Sequence, residues 1–314
     1  MSHFTVLVIG DDVDGQLAPF QENNMGDCPE EYMEFEVEIE FGKEKEYQDS
    51  ELSGEWMNKP ERKADLIKYK AMSPEEFIKE YTGWEKGENG WGYMTNPNCR
   101  WDWYQIGGRW AGMFKLKNGV AAPVPNFSYG WDAKEREKML KQNRTDQAQK
   151  GDIDFAGMIA ADVERAGLQY DTVEKFYGGK IPKITIPWKS IIDNKNYKDW
   201  DIDAKRKLYH DQPAKKTEKK LKAALPDTDR DLRWTDLEDY QCTKEEYLKG
   251  VADRTISTFA VLRNGEWLEK GRMGWWGMHD ATDEDAKEWN KSFYDTFIKD
   301  LPDDTLLTIV DCHI

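Results

Sequence analysis

Thiols, imidazoles and long apolar runs are all scarce in this chain. Its 314 residues hold four cysteines and four histidines. Cys28, Cys99, Cys242 and Cys312 are scattered, with no C-x-x-C pair, so their spacing carries neither a redox dithiol nor a zinc signature. Reduced thiols in a cytoplasm are the expectation. The first residues, MSHFTVLVIGDD, lack a basic segment, and their apolar run is too short for a signal sequence or a membrane span. A G-x-S-x-G elbow, a Walker loop and a G-x-G-x-x-G fingerprint are also missing. The usual markers of α/β-hydrolases, P-loop enzymes and dinucleotide-binding enzymes are therefore absent, and a non-enzymatic protein is expected.

Two weak constellations remain. His279, Cys312, His313 and Cys99 are candidates for convergence on a metal, but strand alternation sends Cys312 and His313 to opposite faces. Asp11, Asp12 and Asp14 follow the first apolar run, where carboxylates hold magnesium in some enzymes, yet they fail the EF-hand pattern, and a plain acidic turn is the expectation. No metal and no cofactor is expected.

What the chain has in quantity is tryptophan and negative charge. Fourteen tryptophans argue for a folded protein even at 39% hydrophobic and 34% charged residues. The net charge is −16, and residues 1–50 carry most of it, with fourteen acids against two lysines, a net of −12. Residues 201–225 reverse the sign, with eight Lys/Arg against four acids, a net of +4. A chain this acidic repels nucleic acid, so a basic protein surface is a better partner than DNA. Charge that merely keeps the protein soluble is the plain alternative.

The hydropathy pattern predicts an α+β fold. FTVLVIG at 4–10 and TLLTIVDCHI at 305–314 read as buried strands, neighbours in one mixed or antiparallel sheet with flanking helices. Asn118-Gly119 and Asn264-Gly265 each sit between apolar runs and predict hairpins. Ser73, Thr243 and Thr282 each open a capping box, the first predicting a helix near 74–81 that leaves at Gly83. Trp289, Phe293 and Phe297 share one face of the last helix. Residues 132–228 change character and predict a largely helical inserted arm, leaving 1–131 and 229–314 as a discontinuous core.

In EYMEFEVEIEFG at 31–42, Met33, Phe35, Val37, Ile39 and Phe41 alternate with Glu34, Glu36, Glu38 and Glu40. Period-two alternation predicts one apolar face and one carboxylate ladder. The ladder suits imitation of a phosphate backbone, or simply a charged face that blocks edge pairing.

Two tryptophan-rich segments are the candidate contact sites. NPNCRWDWYQIGGRWAGMF at 96–114 brings Trp101, Trp103, Tyr104 and Arg109, residue types that dominate binding hot spots. Its alternative is a core strand carrying Trp101, Trp103 and Gln105, with Trp110 beneath and a bulge at Gly107-Gly108. GRMGWWGMHD at 271–280 sets Trp275 and Trp276 between glycines beside Arg272 and His279. Adjacent residues of a strand cannot face one way, so this segment predicts an exposed aromatic anchor. Protein contact and stacking on a nucleotide both remain open for these rings.

MSHFTVLVIGDDVDGQLAPFQENN, NPNCRWDWYQIGGRWAGMFKLKNG, KGDIDFAGM, GRMGWWGMHD and LPDDTLLTIVDCHI together resemble a family of tailed-phage and prophage proteins along the whole chain. The resemblance implies kinship with phage inhibitors of the bacterial Gabija defence system. These act as oligomers in the host cytoplasm, around a defence nuclease complex, and block its DNA binding and cleavage. No contact residue is carried over from them. A protein that binds or modifies a nucleotide or signalling molecule is the alternative expectation, and a phage assembly accessory the third.

Overall fold

A computed structural model of the chain describes residues 2–121, 123–128, 132–224, 236–274 and 279–314. Its strands are β1 (His3–Ile9), β2 (Glu34–Glu40), β3 (Glu85–Lys86), β4 (Gly90–Thr95), β5 (Trp103–Ile106), β6 (Phe114–Lys115), β7 (Arg144–Thr145), β8 (Gln147–Gln149), β9 (Ala260–Arg263), β10 (Glu266–Glu269) and β11 (Leu306–His313). The fold is α+β, with helices flanking a mixed, mainly antiparallel sheet.

The central sheet runs β10-β9-β1-β11-β5, and β8 also pairs with β11. The apolar runs at the two ends of the chain are neighbours, antiparallel, with His3 opposite His313 and Ile9 opposite Leu307. Strand β1 runs parallel to β9. Both faces of β1 and β11 are covered, which is why their sequences are nearly continuous apolar runs. Leu7, Ile9, Val261, Leu307 and Ile309 meet Phe293 and Ile298 on one side. Phe4, Val6, Val8, Leu262, Val310 and Cys312 meet Leu17 and Trp101 on the other. Each such buried side chain contributes about 1.5–3 kcal/mol.

Local signals hold well. Ser73, Thr243 and Thr282 form capping boxes on the helices Pro74–Thr82, Lys244–Arg254 and Asp283–Phe293, and Gly83 leaves the first in the left-handed region. Trp289, Phe293 and Phe297 pack ring to ring at 5.2–5.8 Å. Asn264-Gly265, at φ 54° and 75°, turns β9 into β10.

The Asn118-Gly119 hairpin does not form. Strand β6 pairs with β7, 30 residues on, as Phe114 with Thr145 and Lys115 with Arg144. The run after the turn contains Pro123 and Pro125, which lack the N–H that a ladder needs. The turn itself is held by Asn143, whose Nδ2 donates to the Lys117 and Val120 carbonyls.

Two further units flank the central sheet. Strands β2, β4 and β3 form a small sheet. On it pack the helices Glu44–Ser53, Lys63–Lys70 and Pro74–Thr82, around Ile39, Leu52, Met57, Phe77, Ile78 and Trp91. The second unit is helical. The helix Phe155–Phe176 packs Ala166, Tyr170 and Val173 against Ile184, Ile191, Tyr209, Leu221, Leu237, Tyr240, Tyr247 and Val251. Its extent differs from the expected arm at 132–228. Residues 147–149 belong to the central sheet, and the helical core draws on residues up to 251.

Candidate functional site

The two tryptophan-rich segments meet at the end of the central sheet where β1 begins and β11 finishes. Arg100 Nε lies 3.4 Å from Glu269 Oε1. Burial and the Glu22 charge push the Cys99 thiol up, while Arg100 and Arg272 pull the other way, so the Arg272 charge acts on the 96–100 turn. The Ser2 hydroxyl donates to the Gly274 carbonyl. Met273 and His279 bridge the second segment, and the Arg272 N–H donates to Asp280 at 2.7 Å. The His279 ring packs on Phe259 at 5.8 Å. Trp275 and Trp276 lie outside the described residues.

Trp101 and Trp103 do not share a face. Strand β5 begins only at Trp103. Trp101 is 5% exposed, bridges to Gln21 and donates from its indole to the Leu17 carbonyl. It belongs to the core, edge-on to Tyr104 at 5.0 Å. The Tyr104 hydroxyl bonds Asp14, and burial followed by that carboxylate pushes its pKa far up. Asp12 caps the helix Val13–Leu17 through the Gly15 N–H, so Asp12 and Asp14 are engaged separately as parts of a turn.

Trp103 is 44% exposed and stacks on His313 at 5.0 Å and 17°. His313 Nδ1 lies 2.6 Å from Asp102 Oδ1, and His3 Nδ1 lies 2.8 Å from Asp311 Oδ1. The two imidazoles meet edge to face at 4.9 Å. A carboxylate on Nδ1 fixes each ring's orientation. Among the described residues no three His, Cys, Asp or Glu side chains group as a metal would need. Cys312 points into the opposite face, where burial raises its thiol pKa far above the ordinary value. The site's chemistry is therefore an aromatic plate, backed by oriented imidazoles and open to solvent at Trp103.

Gly107 and Gly108 end β5 and begin a turn, in place of the expected bulge. Both have positive φ, 74° and 59°. The turn wraps two buried carboxylates. Asp146 accepts from the Gly112 and Asn126 N–H groups, both at 2.5 Å, and Asp311 accepts from the Arg109 N–H at 2.9 Å. The side chain of Arg109 is left on an exposed residue. Burial pushes the Asp146 carboxyl up, opposed by its two N–H donors. The paired histidines and these carboxylates escaped sequence reasoning. His3 and His313 are 310 residues apart, and only the β1–β11 register brings them together.

The acidic strand differs from the expected ladder. Register slips between Val37 and Ile39, leaving Glu38 as the extra residue of a bulge. Ile39 therefore turns inward opposite Trp91, and Glu40, opposite Gly90, falls on the other face from Glu36, opposite Tyr93. Burial, then Glu36 and Glu38, push the Tyr93 pKa up. All four glutamates are exposed, and β2 is the free edge of its sheet. Val37 and Phe41, interleaved with them, and Tyr93 and Met94 on the neighbouring β4 are 38–42% exposed.

No helix among the described residues is long and apolar enough to cross a membrane. Comparison with protein-family models, curated proteins and solved structures gives no match.

Proposed function

We propose that this chain is a non-enzymatic, phage-encoded inhibitor that docks on a bacterial defence nuclease complex of the Gabija type. It works in the host cytoplasm as a homo-oligomer and blocks the complex's DNA binding and cleavage. The observation that carries this reading is the exterior of the β2 edge. A charged edge that only prevents aggregation has no use for exposed Val37 and Phe41 among its carboxylates, or for exposed Met94 on the Val37 face of β4. Carboxylates around apolar anchors suit a basic protein groove, where the anchors supply contact and the charges supply steering. Trp103 and Arg109, at the edge of the central sheet, supply a second contact, an exposed aromatic with a nearby cation.

The test is inhibition of a reconstituted nuclease complex by the protein and by a Glu34→Gln, Glu36→Gln, Glu38→Gln, Glu40→Gln variant. The variant is expected to bind on the order of tenfold more weakly, with a shallower dependence on salt. Full inhibition by the variant, with an unchanged salt dependence, would remove β2 from the docking surface. Failure of the protein to bind the complex at all would overturn the reading.

A further inference from the structure

A cleft along the helix Phe155–Phe176, walled by residues 135–144 on one stretch and by Trp110, Met113 and residues 251–257 on the next, concentrates the opposite charge. Two cavities, of about 440 and 360 Å³, share Asp162 and Arg165 on the helix Phe155–Phe176. Glu135, Lys138 and Arg144 line the first, and Trp110 and Arg254 line the second. Four cations against Glu135 and Asp162 leave a surplus of two positive charges, in a chain whose net charge is −16.

Arg144 is the most telling of the four. Its guanidinium donates to the Gly112 and Met113 carbonyls at 3.2 Å, and its Nε is buried without an acceptor. Asp162 pairs with Arg165 at 2.9 Å, so one carboxylate serves two guanidiniums. Burial lowers the Arg144 pKa; Asp162 opposes this and the Arg165 charge adds to it. An anion in the cleft offsets both the desolvation cost and the repulsion, and guanidinium forks match phosphate oxygens in pairs. In the adjoining cavity, across Asp162 and Arg165, the half-buried Trp110 supplies an indole, and an aromatic face stacks on any base. The cavity size suits a small-molecule site.

We propose that this cleft binds a nucleoside phosphate, with Arg144, Arg165 and Arg254 on the phosphates and Trp110 against the base. The site is separate from the acidic edge, so its occupancy and the docking reading stand or fall independently.

ADP, pyrophosphate and adenosine are titrated separately into the full-length protein by calorimetry, alongside an Arg165→Glu, Arg254→Glu variant. Both arginines are exposed, and a melting curve verifies that the variant is folded. ADP is expected to bind at least about tenfold more tightly than pyrophosphate or adenosine, and the double variant to lose on the order of a hundredfold in ADP affinity. If the double variant melts early, Arg254→Gln alone is expected to lose about tenfold. No heat with ADP overturns the proposal, as does equal binding by the charge-reversed protein. Pyrophosphate binding as tight as ADP removes Trp110 as a base plate and overturns the nucleoside assignment.

Discussion

Replacing Lys215 by methionine is expected to destabilise the protein by about 3–5 kcal/mol, the usual cost of leaving a buried charge without its partner. Lys215 is 3% exposed inside the helical core. Its ammonium bonds Glu218, both oxygens of Asp236 at 2.9 Å, and sits over the Tyr209 ring at 4.7 Å. Burial opposes its charge, yet Glu218 and Asp236 hold its pKa above the ordinary lysine value. Burial likewise opposes ionised Glu218, but Lys215, Lys222 and the Leu237 N–H hold that carboxyl below the ordinary range. Asp236 is also lowered, by the Glu238 N–H and Lys215 against its own burial.

The pH dependence follows from these directions. Both carboxyls bind protons less tightly in the folded than in the unfolded chain. Their stabilisation is present above the unfolded carboxylate range and is lost as pH falls through the folded values. Lys215 contributes below the ordinary lysine pKa, and that contribution goes as pH rises through its folded value. Urea midpoints between neutral pH and about pH 3 should therefore fall steeply for the native chain and more gently for Lys215→Met, which has lost the acid-sensitive pair. A Lys215→Met, Glu218→Leu variant should recover part of the loss, since a well-packed apolar pair often matches a buried ionic one. The rest remains because the Leu237 N–H is left without its acceptor and Asp236 without Lys215. If the double variant is as unstable as the single one, the penalty lies in packing and the charge argument is wrong.

What was legible in the sequence was what is local. A capping box closes within three residues, so Ser73, Thr243 and Thr282 announced their helices without knowledge of the rest of the chain. The end strands were legible through burial on both faces. Register was not. The period-two rule spread Glu34–Glu40 over one face, and one extra residue at position 38 sufficed to divide them. Asn118-Gly119 carried the same turn chemistry as Asn264-Gly265, and prolines downstream decided between them. The Gly107-Gly108 pair was visible, but the carboxylates that require it come from positions 146 and 311, and no local pattern connects them. The arginines of the cleft gave no signal either. Arg144, Arg165 and Arg254 are spread over 110 residues and come near one another only because β7 and the helix Lys244–Arg254 both lie along the helix Phe155–Phe176.

Gly107→Ala and Gly108→Ala are each expected to cost about 2–5 kcal/mol, far more than alanine at an ordinary turn glycine. Part of that is backbone. An L side chain at φ 74° or 59° costs roughly 1–2 kcal/mol. The larger part is the carboxylates. A Cβ at Gly107 would stand 2.2 Å from Asp146 Oδ2, and one at Gly108 would stand 2.5 Å from Asp311 Oδ2. Neither acid can retreat without abandoning buried donors, the Gly112 and Asn126 N–H groups for Asp146, the Arg109 N–H and His3 for Asp311. Each buried donor left unmet costs about 1–3 kcal/mol. Gly265→Ala separates the two contributions. Gly265 has the same backbone sign, φ 75°, and nothing within 4 Å of its added Cβ, so it should lose only the backbone share. Urea unfolding of the three variants reads the difference directly, and equal losses at 107, 108 and 265 would show that the carboxylates yield freely. If they do not yield, Gly107→Ala also displaces the turn that carries Trp110, and nucleotide binding in the cleft should weaken in step with stability.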